Sequence, residues 1–178
     1  MVQRMKKRLL QIPSKMKAPL LGERPSMSFK YAFWSFISGT SGILAIHLMT
    51  TMVGFPLLIG SFGASAVLLF GANDSPLTQP RNLVGGHIIS AIVAVIIVAT
   101  IGSNSLSIAL AVGTAILAMN LTHTTHPPGG ATALIGVQGG AGLSYVFVPV
   151  LAGALILLLV ALFTNNLAYH RRYPKHWF

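Results

Sequence analysis

Long apolar runs, separated by short polar or basic breaks, fill most of the chain. Four of these runs reach or approach the roughly 20 apolar residues that a membrane-spanning helix needs. They are about Phe33–Met52, Leu83–Ile101, Leu106–Leu121 and Tyr145–Leu167. The pattern therefore predicts an all-α, polytopic membrane helix bundle.

Two further apolar segments are shorter and less regular. Pro56–Gly71 and Pro128–Val137 each begin with proline, glycine and small polar residues and continue as a stretch rich in small residues. About eight residues of helix rise only ~12 Å, less than half of the hydrocarbon core. Each segment is predicted to be a broken or half helix, and the pattern leaves open whether it crosses the membrane or re-enters on its starting side.

A block of sequence occurs twice, as Gly63–Leu68 and again as Gly130–Ile135. We call the spacing from Gly63 to Gly130 the repeat offset. Without a gap, the same offset aligns Val84–Gly86 with Leu151–Gly153. We interpret the chain as a tandem duplication, in which each repeat contains a transmembrane helix, a broken or half helix and a second transmembrane helix. Repeats of this kind build substrate sites near the bilayer midplane.

The number of crossings in each repeat decides the topology. Repeat 1 covers about residues 33–101 and repeat 2 about residues 105–167. If both short segments cross, each repeat has three crossings, and this odd number turns the second repeat upside down, which gives two inverted repeats. If both re-enter, the chain has four spans, so the prediction is 4–6 crossings in all.

Composition supports the membrane class, with 53% hydrophobic and 8% charged residues. The net charge of +10 lies at the flanks: eight of the 12 Lys and Arg residues fall in residues 4–30 and three in the last eight residues. Such flanks are typical of cytoplasmic ends that contact anionic lipid headgroups, and they argue against a nucleic-acid partner. We expect an integral protein of a bacterial inner membrane with both termini in the cytoplasm. Under the three-crossing topology, the loop Ala72–Arg81 is cytoplasmic too.

The charge pattern divides the chain into three parts. Residues 1–30 form a basic interfacial tail, residues 31–168 a transmembrane domain, and residues 169–178 a basic aromatic tail. The apolar positions of a short interfacial helix in the first tail are Val2, Met5, Leu9 and Ile12. The aromatic residues of the second tail are predicted to form an interfacial belt: Tyr169, Tyr173 and Trp177.

Reactive side chains are scarce. The sequence has no cysteine, and Asp74 is the only carboxylate after Glu23. His123 and His126 lie three residues apart, but a pair of imidazoles beside prolines is a weak metal signal. We therefore expect no enzyme activity, no bound metal and no cofactor.

The strongest single motif is the sequence THTTHPPGGATAL, from Thr122 to Leu134. It resembles the HPP family of integral membrane proteins, which is named for a His-Pro-Pro triplet that leads into Gly-Gly-Ala-Thr-Ala. The resemblance extends to Gly60–Ala66 and to Gln79–His87, and it covers roughly residues 30–168. Family members in plants are described as nitrite transporters, so the resemblance implies transport of nitrite. The family is commonly described with four spans, and some members carry CBS domains, which we do not expect here.

The residues of the motif point to an anion site. Pro127 and Pro128 disfavour a helix before them, so a helix should begin abruptly near Gly130. Free amides at Gly129–Thr132 would then bind a small monovalent oxyanion at a helix N-terminus, and Gly63–Ser65 offers the same in the first repeat. The expected substrate-binding residues are Ser61, Gly63, Ala64, Ser65, Thr125, His126, Gly129, Gly130, Ala131 and Thr132. Candidates for a vestibule or a proton relay are Arg81, Asn82, His87 and His123.

Several of these residues also have a purely structural interpretation. The small residues around Gly63 and Gly130 allow close helix packing, and His126 can serve to form the turn. His87 is suited to a hydrogen bond between helices, and Arg81 to an anchor that snorkels to the interface. The functional prediction is transport of a small inorganic anion by a homo-oligomer, and the alternative is a non-transporting membrane scaffold or sensor.

Overall fold

The computed structural model describes residues 2–11 and 28–178, and within these ranges every regular element is helical. Three helical stretches are long and apolar enough to cross a membrane, and two apolar helices are shorter, Gly60–Gly71 and Ser105–Leu121. The helices are α1 (Val2–Leu10), α2 (Phe29–Val53), α3 (Gly60–Gly71), α4 (Pro80–Ile101), α5 (Ser105–Leu121), α6 (Pro128–Gln138) and α7 (Ala152–Leu167). A 3₁₀ turn covers Pro76–Thr78, and a kinked segment, Val146–Leu151, in which the Val148 backbone is not helical, leads directly into α7. The all-helical prediction is confirmed.

Local sequence explains where the helices begin and end. The Ser28 side chain accepts a hydrogen bond from the Tyr31 amide at 3.2 Å and caps α2. Asn104 caps α5 in the same way, through the amides of Leu106 and Ser107. Gly54 ends α2 with a φ of 74°, a left-handed conformation that glycine adopts without strain.

The helix boundaries coincide at the repeat offset of the sequence. At the repeat offset, α3 falls onto α6 and α4 falls onto Val146–Leu167, each to within one residue at either end. Each short helix packs against the first helix of its own repeat and the last helix of the other repeat. Thus α3 packs against α2 and α7, and α6 packs against α5 and α4. The apolar core is divided into one cluster around Phe62, Leu69 and Phe70, another around Ala94 and Ala133, and a smaller one of Ala91, Val146 and Val150.

Two glycine contacts follow the same relation. A Cβ atom on Gly153 would overlap the buried ring of Phe62, so only glycine lets α7 approach α3 this closely. In the other half, a Cβ on Gly129 would lie 3.0 Å from the Gly86 carbonyl oxygen. Gly129 is the repeat equivalent of Phe62, and Gly86 is the repeat equivalent of Gly153. The contact between Gly129 and Gly86 is therefore the repeat equivalent of the contact between Phe62 and Gly153.

Three segments meet at one end of the bundle. The Tyr31 hydroxyl, in the first turn of α2, donates to Asn73 Oδ1 at 2.8 Å. Arg171 donates to the Tyr31 carbonyl oxygen, and the Tyr173 hydroxyl donates to the Thr78 carbonyl oxygen, each at 2.8 Å. One end of the bundle therefore holds the start of α2, the connection from α3 to α4 and the C-terminal tail. The helix α2 runs away from this end, and α3 returns to it.

The opposite end holds the α4–α5 connection. Ser103 in this connection donates to the carbonyl oxygen of Val137, at the end of α6. The helix α6 therefore begins inside the bundle, near the first half of α4, and finishes at this far end.

The tails agree only in part with the sequence pattern. Residues 2–10 form the predicted short helix, in which Met5 is exposed, while Ile12 lies outside the described residues. In the C-terminal tail, Tyr169 and Trp177 are exposed, but Tyr173 is only 2% exposed. The predicted belt is therefore wrong for Tyr173, because its side chain packs inside the protein and its hydroxyl has a backbone partner.

Candidate functional site

Five polar side chains are completely buried where the two short helices meet inside the apolar bundle. They come from three helices and from the turn before α6, and we call them the imidazole–hydroxyl cluster: Ser61, Ser65, His87, His126 and Thr132. Each has an exposure of 0%. Buried polar groups need hydrogen-bond partners, and these five find most of them in one another.

His87 bridges the two short helices. Its Nε2 lies 2.7 Å from Ser65 Oγ of α3, and its Nδ1 lies 2.7 Å from Thr132 Oγ1 of α6. Ser65 and Thr132 are separated by the repeat offset, so they are the equivalent positions of the two repeats. The position equivalent to His87 is Ala154, so a single imidazole serves both hydroxyls.

His126 extends the cluster towards the end that holds the C-terminal tail. Its Nε2 lies 2.9 Å from Ser65 Oγ, and its Nδ1 lies 2.8 Å from the Leu77 carbonyl oxygen. Since a carbonyl oxygen only accepts, Nδ1 of His126 carries a proton. At the other end, the Thr132 hydroxyl donates to Ser61 Oγ at 2.9 Å.

Glycines on α4 bring the His-Pro-Pro turn into place. A Cβ on Gly86 would lie 2.6 Å from His126 Cβ and 2.8 Å from the Thr124 carbonyl oxygen, so this turn contacts the α4 backbone directly. Asn82 holds the turn from one side, since its Nδ2 donates to the Thr125 carbonyl oxygen at 2.9 Å. A Cβ on Gly129 would lie 2.7 Å from Ser90 Oγ. Small residues thus place His126 beside His87, with ring centroids 5.0 Å apart.

The amides at the start of α6 are used within the turn. Gly129 N donates to the His126 carbonyl oxygen at 2.8 Å, and Gly130 N donates to the Pro127 carbonyl oxygen at 3.0 Å. These two amides are therefore not free, in contrast to the prediction of free amides from Gly129 to Thr132. The donors that meet inside the bundle are side chains.

The structure gathers four of the predicted substrate-binding residues and leaves the others outside the cluster. Ser61, Ser65, His126 and Thr132 lie together, joined by His87, which the sequence suggested for a vestibule or relay. Gly63 and Ala64 lie on the exposed face of α3, Gly130 and Ala131 are half-buried, and Gly129 packs on α4. The Thr125 hydroxyl donates to Asn120 Oδ1 at 2.8 Å, His123 is exposed, Arg81 is half-buried and Asn82 holds the turn.

The chemistry of the cluster is that of hydroxyls and imidazoles. Within the described part of the chain, no carboxylate or cation hydrogen-bonds to it, and no three potential metal ligands lie together. Asp74 lies instead at the end of the bundle that holds the C-terminal tail, where it pairs with Lys175 at 2.9 Å. Such a cluster can donate hydrogen bonds to an anion or pass on a proton, and it offers no negative charge to a cation.

A second buried polar site, which the sequence pattern did not indicate, surrounds Arg171. This side chain is 7% exposed and donates to the carbonyl oxygens of Phe70 and Tyr31 at 2.9 and 2.8 Å. It also donates to Asn165 Oδ1 and Ser35 Oγ, and it stacks on the Tyr31 ring at 4.0 Å. Burial lowers the pKa of this guanidinium, and it nonetheless stays charged at any physiological pH. Its charge lies at the C-terminus of α3, where the helix dipole favours a cation.

Comparison with known proteins agrees with this architecture. The family model for the HPP transmembrane region matches residues 24–174. Two transmembrane proteins of Dictyostelium discoideum are 49% and 47% identical to the chain in alignments of 156 residues, and these alignments cover 81% of this chain and 50% and 55% of the relatives. The chain thus spans about half the length of these curated relatives, and no solved structure matches it. The chain belongs to the HPP family of transmembrane proteins.

Proposed function

We propose that the protein transports a small inorganic anion through the imidazole–hydroxyl cluster, and that this anion is nitrite. The observation that carries the proposal is the burial of five hydroxyl and imidazole groups inside an apolar membrane bundle, where none of the carboxylates that the structure describes hydrogen-bonds to them. Polar side chains at membrane depth are costly and mark substrate or ion pathways. Neutral donors of this kind suit a monovalent oxyanion, which accepts hydrogen bonds through several oxygens.

The helix termini add a favourable field. Ser61 lies in the first turn of α3 and contacts Thr132 in α6, and a Cβ on Gly60 would lie 3.7 Å from Ile135 Cδ1. His126, just before α6, contacts Ser65 in the second turn of α3. The positive ends of the two helix dipoles therefore lie at the two ends of the cluster, each equivalent to about half an elementary charge. An anion between α3 and α6 is stabilised by both.

We further propose that the two repeats are inverted, with six crossings and both termini in the cytoplasm. A two-fold rotation that carries repeat 1 onto repeat 2 also carries repeat 2 onto repeat 1. It would turn the contact between Phe62 and Gly153 into the contact between Gly129 and Gly86, and the presence of both contacts supports such a relation. The shared end of α2, the α3–α4 connection and the C-terminal tail supports three crossings in each repeat. The basic residues near this end favour the cytoplasmic side of a bacterial inner membrane.

Entry of the anion requires the cluster to open. The five side chains are bonded to one another and have no exposed surface. An anion therefore replaces bonds such as that between Thr132 and Ser61, and α3 must separate from α6 while it passes. This describes an occluded state of a transporter more readily than an open channel.

The test is anion uptake by liposomes that contain the purified protein, with nitrite, nitrate, chloride and formate compared. Thr132→Val keeps the shape of the side chain but removes the hydroxyl, and it should lower nitrite uptake at least tenfold. Thr132→Ser should retain most of it. Ser107→Ala is the matched control, because Ser107 is buried in α5 and its Oγ has no partner.

Uptake of none of the four anions by monodisperse wild-type protein would contradict transport and favour the scaffold or sensor. Equal uptake by Thr132→Val and wild type would show that the path lies elsewhere in the bundle.

A further inference from the structure

We propose that the imidazole–hydroxyl cluster is a proton relay, and that one proton moves with each anion. The coupling rests on the proposed anion transport, whereas the relay itself rests on hydrogen-bond geometry alone. The relay contains, in order, Ser61, Thr132, His87, Ser65 and His126, and it ends at the Leu77 carbonyl oxygen.

The contacts along this relay are continuous. The successive distances from Ser61 Oγ to Leu77 O are 2.9, 2.7, 2.7, 2.9 and 2.8 Å. Every intermediate group is a hydroxyl or an imidazole, each of which can donate a hydrogen bond through an O–H or N–H group and accept another through a lone pair. A proton therefore needs no water to travel between the two short helices.

The count of protons fixes the direction of the bonds when both imidazoles are neutral. Nδ1 of His126 donates to Leu77, so its Nε2 accepts the only hydroxyl proton of Ser65. Nε2 of His87 must then donate to Ser65, and its Nδ1 accepts from Thr132. All bonds point towards Leu77, and the two histidines are opposite tautomers.

The bond that Thr132 donates to Ser61 requires the reverse direction. His87 Nδ1 then donates to Thr132, and Ser65 donates to His87 Nε2. His126 must donate through both nitrogens, so it is an imidazolium. The two directions of the relay differ by one proton.

The conversion is a balanced series of proton transfers. A hydronium ion gives its proton to Ser61 Oγ and leaves as water, while the former Ser61 proton moves to Thr132 and the Thr132 proton moves to His87 Nδ1. The proton on His87 Nε2 moves to Ser65, and the Ser65 proton moves to His126 Nε2. At each step one O–H or N–H bond forms as another breaks, and the charge that enters at Ser61 is left on His126.

The charged state needs an anion. Among the described residues, the titratable group that faces each imidazole is the other imidazole, 5.0 Å away. The remaining elements present Phe62 from α3, Leu77 from the 3₁₀ turn and Met119 from α5, and the Tyr145 hydroxyl donates to the Thr132 carbonyl oxygen behind the cluster. A buried imidazolium without a carboxylate partner is costly, so a bound anion favours protonation and protonation favours the anion to the same degree.

The first experiment measures the tautomers by solid-state nitrogen NMR on histidine-labelled protein in bilayers, without any flux. At high pH, the signals of His126 and His87, assigned through His126→Gln and His87→Gln, should show the Nδ1–H and the Nε2–H tautomer. Addition of nitrite at pH 6 should convert the His126 signal to an imidazolium. Two identical tautomers, or no imidazolium at any pH where the protein stays folded, would overturn the relay.

The second experiment measures proton and nitrite uptake together in liposomes. We expect about one proton per nitrite and a rate that does not depend on membrane potential. His126→Gln should keep some nitrite uptake but lose the proton, whereas His47→Gln, at an exposed position on α2, should behave as wild type. Nitrite uptake without protons would refute the coupling and leave the proposed function intact, while the absence of nitrite uptake would refute the proposed function and leave the NMR result to decide on the relay.

Discussion

Ser65 and Thr132 occupy equivalent positions in the two repeats, and their hydroxyl oxygens lie at the same distance, 2.7 Å, from the two nitrogens of one imidazole, that of His87. The duplicated motif thus supplies a symmetrical pair of hydroxyls, and a single unduplicated histidine lies between them. Because Ala154 stands at the position equivalent to His87, the symmetry is broken at this point.

Removal of the Ser65 hydroxyl should destabilise the fold as well as the function. Ser65→Ala leaves the Nε2 atoms of both His87 and His126 without a partner, and an unsatisfied buried polar group costs about 1–3 kcal/mol. We expect a clear fall in the thermal unfolding temperature of the detergent-solubilised protein. Ser107→Ala should change it little, because the Oγ of Ser107 has no partner to lose. Similar unfolding temperatures for both variants would argue that the cluster is not held together as described.

The glycines of the two repeats should tolerate substitution very unequally. Gly153→Ala places a methyl group against the buried Phe62 ring, which has no room to move, and overpacking of this kind costs about 1–3 kcal/mol. Gly63→Ala meets no atom within 4 Å and gains helix propensity, so it should be neutral or stabilising by about 0.5–1 kcal/mol. Thermal unfolding and size-exclusion profiles of the two variants provide the comparison. A monodisperse Gly153→Ala protein of wild-type stability would show that α7 does not pack against α3 as described.

The position of the loops can be tested with single cysteines, since the chain has none of its own. Ser75→Cys lies at the end of the bundle that holds the C-terminal tail, and Ser105→Cys lies at the other end of α4. An impermeant thiol reagent applied to intact cells should label Ser105→Cys, and Ser75→Cys should react only after the membrane is opened. Labelling of Ser75→Cys from outside would contradict the proposed cytoplasmic location of this end.

The sequence predicts the helices well because apolar runs and prolines act locally, and the repeat offset by itself identifies Ser65 and Thr132 as equivalent positions. It assigns His87 less surely, since α4 is apolar on nearly every side and its pattern does not show which face turns inward. That face is set by Gly85 and Gly86, which let the His-Pro-Pro turn dock on α4. The sequence pattern does not predict the burial of Arg171, because its partner Tyr31 lies 140 positions earlier in the chain.

The buried Tyr173 should make the protein lose stability in alkali. Burial raises the pKa of this phenol, and its hydroxyl donates to the Thr78 carbonyl oxygen. A group with a raised pKa in the folded state stabilises the fold fully below its unfolded pKa, which is about 10 for tyrosine, and this contribution is lost as the pH rises above that value. Tyr173→Phe should therefore be less stable than wild type at pH 8, by about 1 kcal/mol for the lost hydrogen bond, but it should lose less stability between pH 9 and pH 11. Tyr169→Phe is the matched control, because the Tyr169 side chain is fully exposed and should show the wild-type pH profile. The measurement is thermal unfolding in detergent across this pH range, and parallel curves for Tyr173→Phe and wild type would show that the phenol is not buried in the folded protein.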